Sequence, residues 1–290
     1  MAKILSIIVS YNFEPWIHKC LPSLVASTYP TDILVIDNNS ADNTTQIIKE
    51  NYPTVRLIES TENLGFGKAN NIGLEIILKE EYDYAFLVNQ DAWVDRNCLA
   101  NLIKVNTDNI GIISPIHYDG TETTLDHGFA EYTKDAITKN SYRICPFVNA
   151  AFWLIPNTVI RKVGGFAPIF FHYGEDKDYA NRINYYGLNI VLAEEAKAYH
   201  DRQQRKTDRK AFMKSEFVYH LTEYCNINYT FVKAFSMAVL ASLKKMASSF
   251  FKGDLFEAKS YLTIVFRLLG KTSAVYRTRQ ANKKAFNTIF

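Results

Sequence analysis

Cysteine is scarce in this 290-residue chain: Cys20, Cys98, Cys145 and Cys225 are widely scattered, with no CxxC pair. That excludes a disulfide framework or a zinc cluster as the organising element and leaves reduced, buried thiols of a cytosolic protein. Long apolar runs are missing too. Ala234–Leu243 is largely apolar but ten residues long and is followed by Lys244-Lys245, short of the roughly 20 residues that span a bilayer. The opening run Ile4–Val9 is too short for the core of a signal peptide and reads as a first strand. Nucleotide-binding signatures are absent as well: no GxGxxG follows Val9, and there is no GxxxxGK[ST] loop. A nucleotide, if bound, is held in another way.

What is present is enough apolar residue, 48%, for one large core or a core with an appendage. The net charge of +3 hides an asymmetry: residues 1–200 carry 16 Lys+Arg against 24 Asp+Glu, and residues 201–290 carry 17 against 6. A boundary near residue 200 and an anionic partner for the basic tail follow.

Short apolar runs alternate with helix-period segments over the first 95 residues. Ile4–Ser10, Ile33–Ile36, Val55–Glu59 and Tyr84–Val88 read as buried strands, with helices between them. This alternation predicts an α/β fold, a Rossmann-like and mostly parallel central sheet flanked by helices. Ile110–Ile116, Phe147–Ile155 and Asn189–Ala193 continue the strands. Each early strand stops at polar residues: Ser10-Tyr11-Asn12, Asp37-Asn38-Asn39-Ser40 and Asn89-Gln90-Asp91. Ligand crevices of open α/β sheets lie just outside such carboxyl ends. Asp91, beside an amide, suits a hard divalent cation, although capping of the next segment explains it equally well.

The segments Ile8–Asn12, Val35–Ser40, Asn63–Asn71 and Leu87–Asp91, in that order, resemble the nucleotide-sugar-binding half of glycosyltransferase family 2, of GT-A fold. The subgroup resembled is the rhamnosyltransferase-like enzymes of bacterial surface-polysaccharide assembly, such as O-antigen or capsule, over roughly residues 3–203. The resemblance implies an inverting transferase using a UDP- or dTDP-sugar, dTDP-rhamnose among the candidates, with Mg²⁺ or Mn²⁺ as cofactor and a glycan or polyprenyl-linked glycan as acceptor. Ser10, Tyr11 and Asn12 would line the base and ribose pocket; Asp37 would bind the ring or ribose, with Asn39 and Ser40 beside it. Asn63, Gly65, Phe66, Gly67 and Asn70 would lie under the ribose and diphosphate, with Asn89 and Gln90 at the donor. Asp91 would be the metal acid and His200 a second metal ligand, the alternative for His200 being a surface histidine beside the basic run Arg202–Lys206. That run could also hold diphosphate. One departure stands out: the family's Asp-x-Asp begins here with Asn89, a weaker metal ligand.

The stretch Gly174-Glu175-Asp176-Lys177-Asp178 resembles the family's Glu-Asp-x-Asp motif, which bears the catalytic base at a helix start. Asp176 takes that role, Glu175 is second, and Asp178 orients its neighbours on the acceptor side. Three acids in a first turn are favoured by the helix dipole in any case. On the acceptor side Phe152 and Trp153 form a wall where Trp153 could stack on a sugar or simply be core.

Residues 1–205 form the expected catalytic domain, divided at residue 95, and 206–290 a helical extension. Proline-free stretches 211–251 and 254–280 read as long helices parted at Gly253-Asp254. Their faces, with Phe250, Phe251, Leu255 and Phe256 beside lysines, suit packing on the catalytic domain and docking on an anionic inner membrane face, and both are expected because a lipid-linked acceptor needs the second. Nucleic acid is not expected, because no recognition motif is present and the aromatics cluster with aliphatics. The competing functions are an inactive nucleotide-sugar- or glycan-binding protein, suggested by Asn89, and a nucleotidyltransferase, whose glycine- and lysine-rich first loop Ser10–Glu14 lacks.

Overall fold

A computed structural model describes residues 1–139, 142–202 and 208–284. The run Gln203–Lys206 lies outside the described residues. The first half alternates as expected: β1 (Ile4–Ser10), α1 (Ile17–Val25), β2 (Asp32–Asp37), α2 (Thr44–Asn51), β3 (Arg56–Glu59), α3 (Phe66–Lys79) and β4 (Tyr84–Asn89). Next come β5 (Ala92–Val94), α4 (Cys98–Ile103), β6 (Ile110–Asp119), α5 (His127–Thr133), β7 (Ile137–Lys139) and β8 (Tyr142–Cys145). They lead to β9 (Phe152–Pro156), α6 (Asn157–Val163), α7 (Glu175–Tyr185) and β10 (Asn189–His200).

These strands form one sheet in the order β3-β2-β1-β4-β9-β6-β10-β8-β7, with β5 pairing β10. The parallel part is β3-β2-β1-β4 together with the β6–β10 pair. β9 runs antiparallel to both β4 and β6, so the sheet is mixed overall. Strand period explains the apolar runs. In β1, Leu5 and Ile7 pack under α3, α6 and α7, while Ile4 and Ile8 pack under α1, α2 and α4. Both faces are covered, so the run is apolar on both faces apart from Ser6, whose buried hydroxyl pairs with Thr31.

Two strands differ usefully from expectation. β9 begins at Phe152 because its partner β4 reaches only Val88 in register, leaving Phe147–Ala151 as a loop over the strand ends. β10 runs past Ala193 through a register shift to Lys197, leaves β8 and then pairs with β5. That irregularity carries His200 to the register of Ala92, next to Asp91.

Burial corrects the expected acceptor wall. Trp153 is 0% exposed and stacks on Phe166 with ring centroids 6.2 Å apart; Phe152, likewise 0% exposed, lies on the opposite face near His117. Neither side chain can meet a sugar. Asp178 is 1% exposed and faces inward, where its carboxylate pairs with Arg182 Nε at 3.0 Å and accepts from Asn282.

Asn282 belongs to the extension: α8 (Arg209–Cys225), α9 (Phe231–Phe235), a π-helical turn Ser236–Leu240, α10 (Ala241–Phe251), α11 (Leu255–Gly270) and α12 (Thr272–Lys284). The break at Gly253-Asp254 is present, and Asp254 caps α11. An unexpected break at Asn226–Thr230 ends α8, because Thr230 caps α9 and Asn226 accepts from the Asn228 N–H. The guanidinium of Arg279 donates to the carbonyls of Tyr224, Asn226 and Tyr229, at the end of α8 where unpaired carbonyls and the helix dipole favour a cation. These helices share a third apolar cluster, which reaches the catalytic part through Ala167 and Phe170. Among the described residues no helix is long and apolar enough to cross a membrane.

Asp178→Ala should leave Arg182 buried without its counter-charge and destabilise the fold by about 3–5 kcal/mol. Urea unfolding measures this; a loss below about 1 kcal/mol would mean that the pair does not anchor α12.

Candidate active site

The polar strand ends converge as the motifs imply. At the ends of β1 and β2, the Asp37 carboxylate accepts from Ser10 Oγ at 2.8 Å and from both the backbone N–H and the hydroxyl of Ser40. Asp37 is only 2% exposed, so it ties the two loops together and presents little to a ligand. Asn12 (φ 53°) and Asn39 (φ 65°) take left-handed turns that asparagine tolerates. Asn12 Oδ1 accepts from the Ala41 N–H, and Ser40 Oγ from the Asn12 N–H. Gln90 clamps Tyr11 at both ends, accepting from its N–H at 2.7 Å and donating to its carbonyl at 3.1 Å. The surface left open is the Tyr11 ring and the exposed Asn39.

The loop before α3 forms the next wall. Gly65 has φ +77°, and a Cβ there would lie 2.1 Å from the Phe171 carbonyl oxygen, so only glycine fits. At Gly67 a Cβ would lie 3.0 Å from Phe166 Cβ and 3.6 Å from Glu175 Cβ. Asn63 Oδ1 accepts from the Gly65 N–H. Asn70, by contrast, is buried and donates to the Phe66 carbonyl inside its own helix, so it does not line an open surface. Two asparagines that sequence reasoning passed over hold the wall in place. Asn38 donates to the Gly65 carbonyl and accepts from the Leu64 N–H. Asn71 accepts from the Phe166 N–H at 2.7 Å and donates to the Phe166 carbonyl at 2.9 Å. The repeated Asn-Asn pairs at 38–39 and 70–71 were the available signal.

Asp91 and His200 meet with Oδ1 3.2 Å from Nε2, and Asn89 Nδ2 is 3.5 Å from the same nitrogen. Behind them, Arg202 Nε donates to His200 Nδ1 at 3.2 Å and lies 3.1 Å from Asp126 Oδ2. An accepting Nδ1 puts the imidazole proton on Nε2, facing Asp91. A metal at Nε2 would move that proton to Nδ1, and Arg202 would then keep Asp126 alone. Among the described residues no group of three or more His, Cys, Asp or Glu gathers to cage a metal. Two protein ligands nevertheless fit Mg²⁺ or Mn²⁺, which take one or two protein ligands and complete their shell with phosphate and water oxygens.

Against the glycine loop lies the start of α7, entered through Gly174 in a left-handed turn. Glu175 is 5% exposed, and its Oε2 is buried with no hydrogen-bond partner. Burial, with a smaller push from Asp176, raises its carboxyl to about 7. Asp176 is partly exposed; burial raises it too, opposed by hydrogen bonds from the Lys177 and Ala150 backbone. Beside Asp176, Lys177 Nζ sits 4.5 Å from the Phe147 ring centroid, and Tyr132 meets Phe147 edge-on at 4.9 Å. Both aromatics are at least partly open, as are Phe171 and Tyr173 just before α7.

Similarity to known proteins agrees with this geometry. Residues 6–164 match the profile of Glycosyl transferase family 2. Glycosyltransferase GlyA of Streptococcus pneumoniae is 32% identical over 35% of this chain, a match covering 15% of that protein. An N-acetylglucosaminyl-diphospho-decaprenol L-rhamnosyltransferase of Mycobacterium tuberculosis is 41% identical over 22% of the chain and 21% of its own length. Both matches therefore span much less than two thirds of those relatives. Rhamnosyltransferase WbbL of Escherichia coli is 26% identical over 74% of this chain and 88% of its own. Among solved structures, the mannosyltransferase PcManGT of Pyrobaculum calidifontis, in complex with GDP-Man and Mn²⁺, superposes with a TM-score of 0.59 at 19% identity over 98% of this chain and 85% of that one. TarS of S. aureus in complex with UDP gives 0.55 at 13% identity over 98% and 91%. The fold is the GT-A fold of these glycosyltransferases, and the chain belongs to glycosyl transferase family 2.

Proposed function

We propose that this protein transfers a sugar from a nucleotide-diphosphate donor, a UDP- or dTDP-sugar such as dTDP-rhamnose, to a hydroxyl of a glycan or lipid-linked glycan. The product would belong to bacterial cell-surface polysaccharide, such as O-antigen or capsule. One observation carries the reading: the glycine loop of the donor half touches the helix start that bears Glu175 and Asp176. Names of relatives support it, since WbbL is a rhamnosyltransferase and the mycobacterial relative is named for a diphospho-decaprenol acceptor. Transfer of label from a panel of UDP- and dTDP-sugars to lipid-linked acceptors tests it.

In this reading Tyr11, Asn12, Asn39 and Ser40 receive the nucleoside, and the glycine loop backbone lies under the diphosphate. Asp91 and His200 would hold Mg²⁺ or Mn²⁺, which supplies charge neutralisation at the leaving diphosphate. Asp176, the more open carboxylate, takes the proton of the acceptor hydroxyl as its oxygen attacks the anomeric carbon. The carbon–diphosphate bond breaks on the opposite face, and the configuration inverts. Glu175 is too enclosed to reach the acceptor and positions the first turn of α7. Phe147 and Tyr132 replace Trp153 as the acceptor wall.

The extension, residues 206–290, would bring the enzyme to the inner face of the cytoplasmic membrane. Phe251 is 86% exposed, and Phe250, Leu255, Phe256 and Phe266 are exposed along α10 and α11. Lys244, Lys252 and Lys259 flank them. Apolar insertion with lysine margins is how interfacial helices bind anionic lipid.

Asp91→Ala should abolish the Mn²⁺ dependence of nucleotide-diphosphate binding in calorimetry; persistence of that dependence would remove Asp91 from the metal site. Asp176→Asn should retain donor binding and lose roughly 10²–10⁴ in transfer rate. Glu175 separates itself by pH. Its folded pKa lies above its unfolded value, so its contribution to stability is full below about 4.5 and is lost as pH rises through about 7. Wild type minus Glu175→Gln should therefore lose about 3 kcal/mol of unfolding free energy between pH 4.5 and 8; a flat difference would contradict the burial assigned to it.

Sedimentation with anionic vesicles should pull down the wild type at low salt and less at high salt. Phe250→Ser/Phe251→Ser should bind weakly at both. Equal sedimentation with neutral vesicles would refute the anionic surface, and no sedimentation would leave the helices as a packed cap.

A further inference from the structure

A cavity of about 500 Å³ lies where α12 meets the segment Val163–Ile169, on the side of α7 that carries Arg182. Every ionisable side chain in its lining is cationic: Arg182, Lys271 and Arg277. Lys271 and Arg277 form no ion pair among the described residues. The nearby carboxylate, Asp178, is engaged by Arg182 and Asn282 and does not line the cavity.

Arg182 is 2% exposed; its Nε binds Asp178, its Nη1 the Val163 carbonyl at 2.9 Å, and its Cζ lies 4.7 Å from the Tyr179 ring centroid, but its Nη2 has no hydrogen-bond partner. In the wall segment, the N–H groups of Gly165, Ala167 and Ile169 donate to no acceptor among the described residues. Folded proteins pair nearly all buried polar groups, so the orphaned nitrogen of buried Arg182, in a cavity that Lys271 and Arg277 also line without counter-charges, calls for an oxyanion. Phosphate offers several acceptor oxygens and the charge that arginine and lysine favour. The rest of the lining, with Phe166, Pro168 and Ala274, is apolar and suits the organic part of an ester.

We propose that this cavity binds a phosphate or diphosphate monoester at a site separate from the donor site. Arg182 and Asp176 share one helix, six residues and about 9 Å apart along its axis. A bound anion would give Arg182 a further partner at the point where α7 is tied to α12. The inference does not depend on the proposed transfer reaction, and the two fail separately.

Inorganic pyrophosphate is the probe, titrated calorimetrically in EDTA into Asp91→Ala protein so that metal-dependent donor-site binding is silent. Binding is expected there, and it should weaken about tenfold or more when Lys271→Ala/Arg277→Ala is added, the worth of one charge-assisted hydrogen bond. A Lys283→Ala/Lys284→Ala control removes the same charge outside the cavity and should bind as the parent does. No binding to the Asp91→Ala protein, an unaltered affinity in the cavity variant, or equal weakening in the control overturns the proposal. Vesicles of phosphatidic acid and of phosphatidylserine at matched charge then identify the source. A preference for phosphatidic acid that the cavity variant loses assigns a lipid phosphate, and pyrophosphate binding without that preference assigns a soluble one.

Discussion

The close contact between the glycine loop and the chain entering α7 is the constraint on which the rest of the site depends. Gly65 approaches the Phe171 carbonyl so nearly that no side chain fits, and Gly67 rests on Phe166 and beside Glu175. Residues a hundred positions apart are thereby fixed within van der Waals distance, and Asn71 locks the same junction with two hydrogen bonds to Phe166. A donor lying on this loop would be placed against the carboxylates of α7 by backbone contact, without relying on a flexible side chain. Glycine there serves proximity, a need unlike that of the phosphate-wrapping loops that this chain lacks.

That junction also explains why the extension is built onto α7 and not onto the edge of the sheet. The first turn of α7 faces the crevice, while Asp178 and Arg182 face α12. Tyr186 donates to the Asn282 carbonyl, and Asn228 to that of Asn181, so α7 is gripped along its length. Arg279, buried among the carbonyls that end α8, fastens α12 in turn. A helix held on one side by a glycine loop and on the other by buried ion pairing keeps its first turn fixed against that loop.

Much of the fold was legible in the sequence, for physical reasons. Strands buried on both faces read as nearly unbroken apolar runs, and their polar stops lie together at the strand ends, although Ser10 and Asp37 are buried there and bind each other. Periodicity could not show which buried aromatic borders an opening, hence Trp153 and Phe152 were misplaced. Asp178 was decidable in principle: two residues beyond Asp176 is a rotation of about 200° around the helix, nearly the opposite face. The break after α8 was missed because asparagines and a threonine ended it where no proline or glycine marks the place. Asn71 and Asn38 escaped notice because an amide that binds backbone looks in sequence like any other polar residue.

His200 shows how the weaker acid motif could still work. With Asn89 in place of a carboxylate, Asp91 carries the negative charge at this strand end. The β10 register shift delivers His200 to it, and Arg202 and Asp126 stand behind the ring. While Arg202 donates to Nδ1, the Nε2 proton satisfies Asp91 and the shelf is self-paired. A cation held by Asp91 and His200 would cost that contact but leave Arg202 on Asp126, a carboxylate already fixed as the cap of α5. In the proposed metal-bound state the shelf would keep its charges satisfied, and the diphosphate, bringing the negative charge that Asn89 cannot, would favour it.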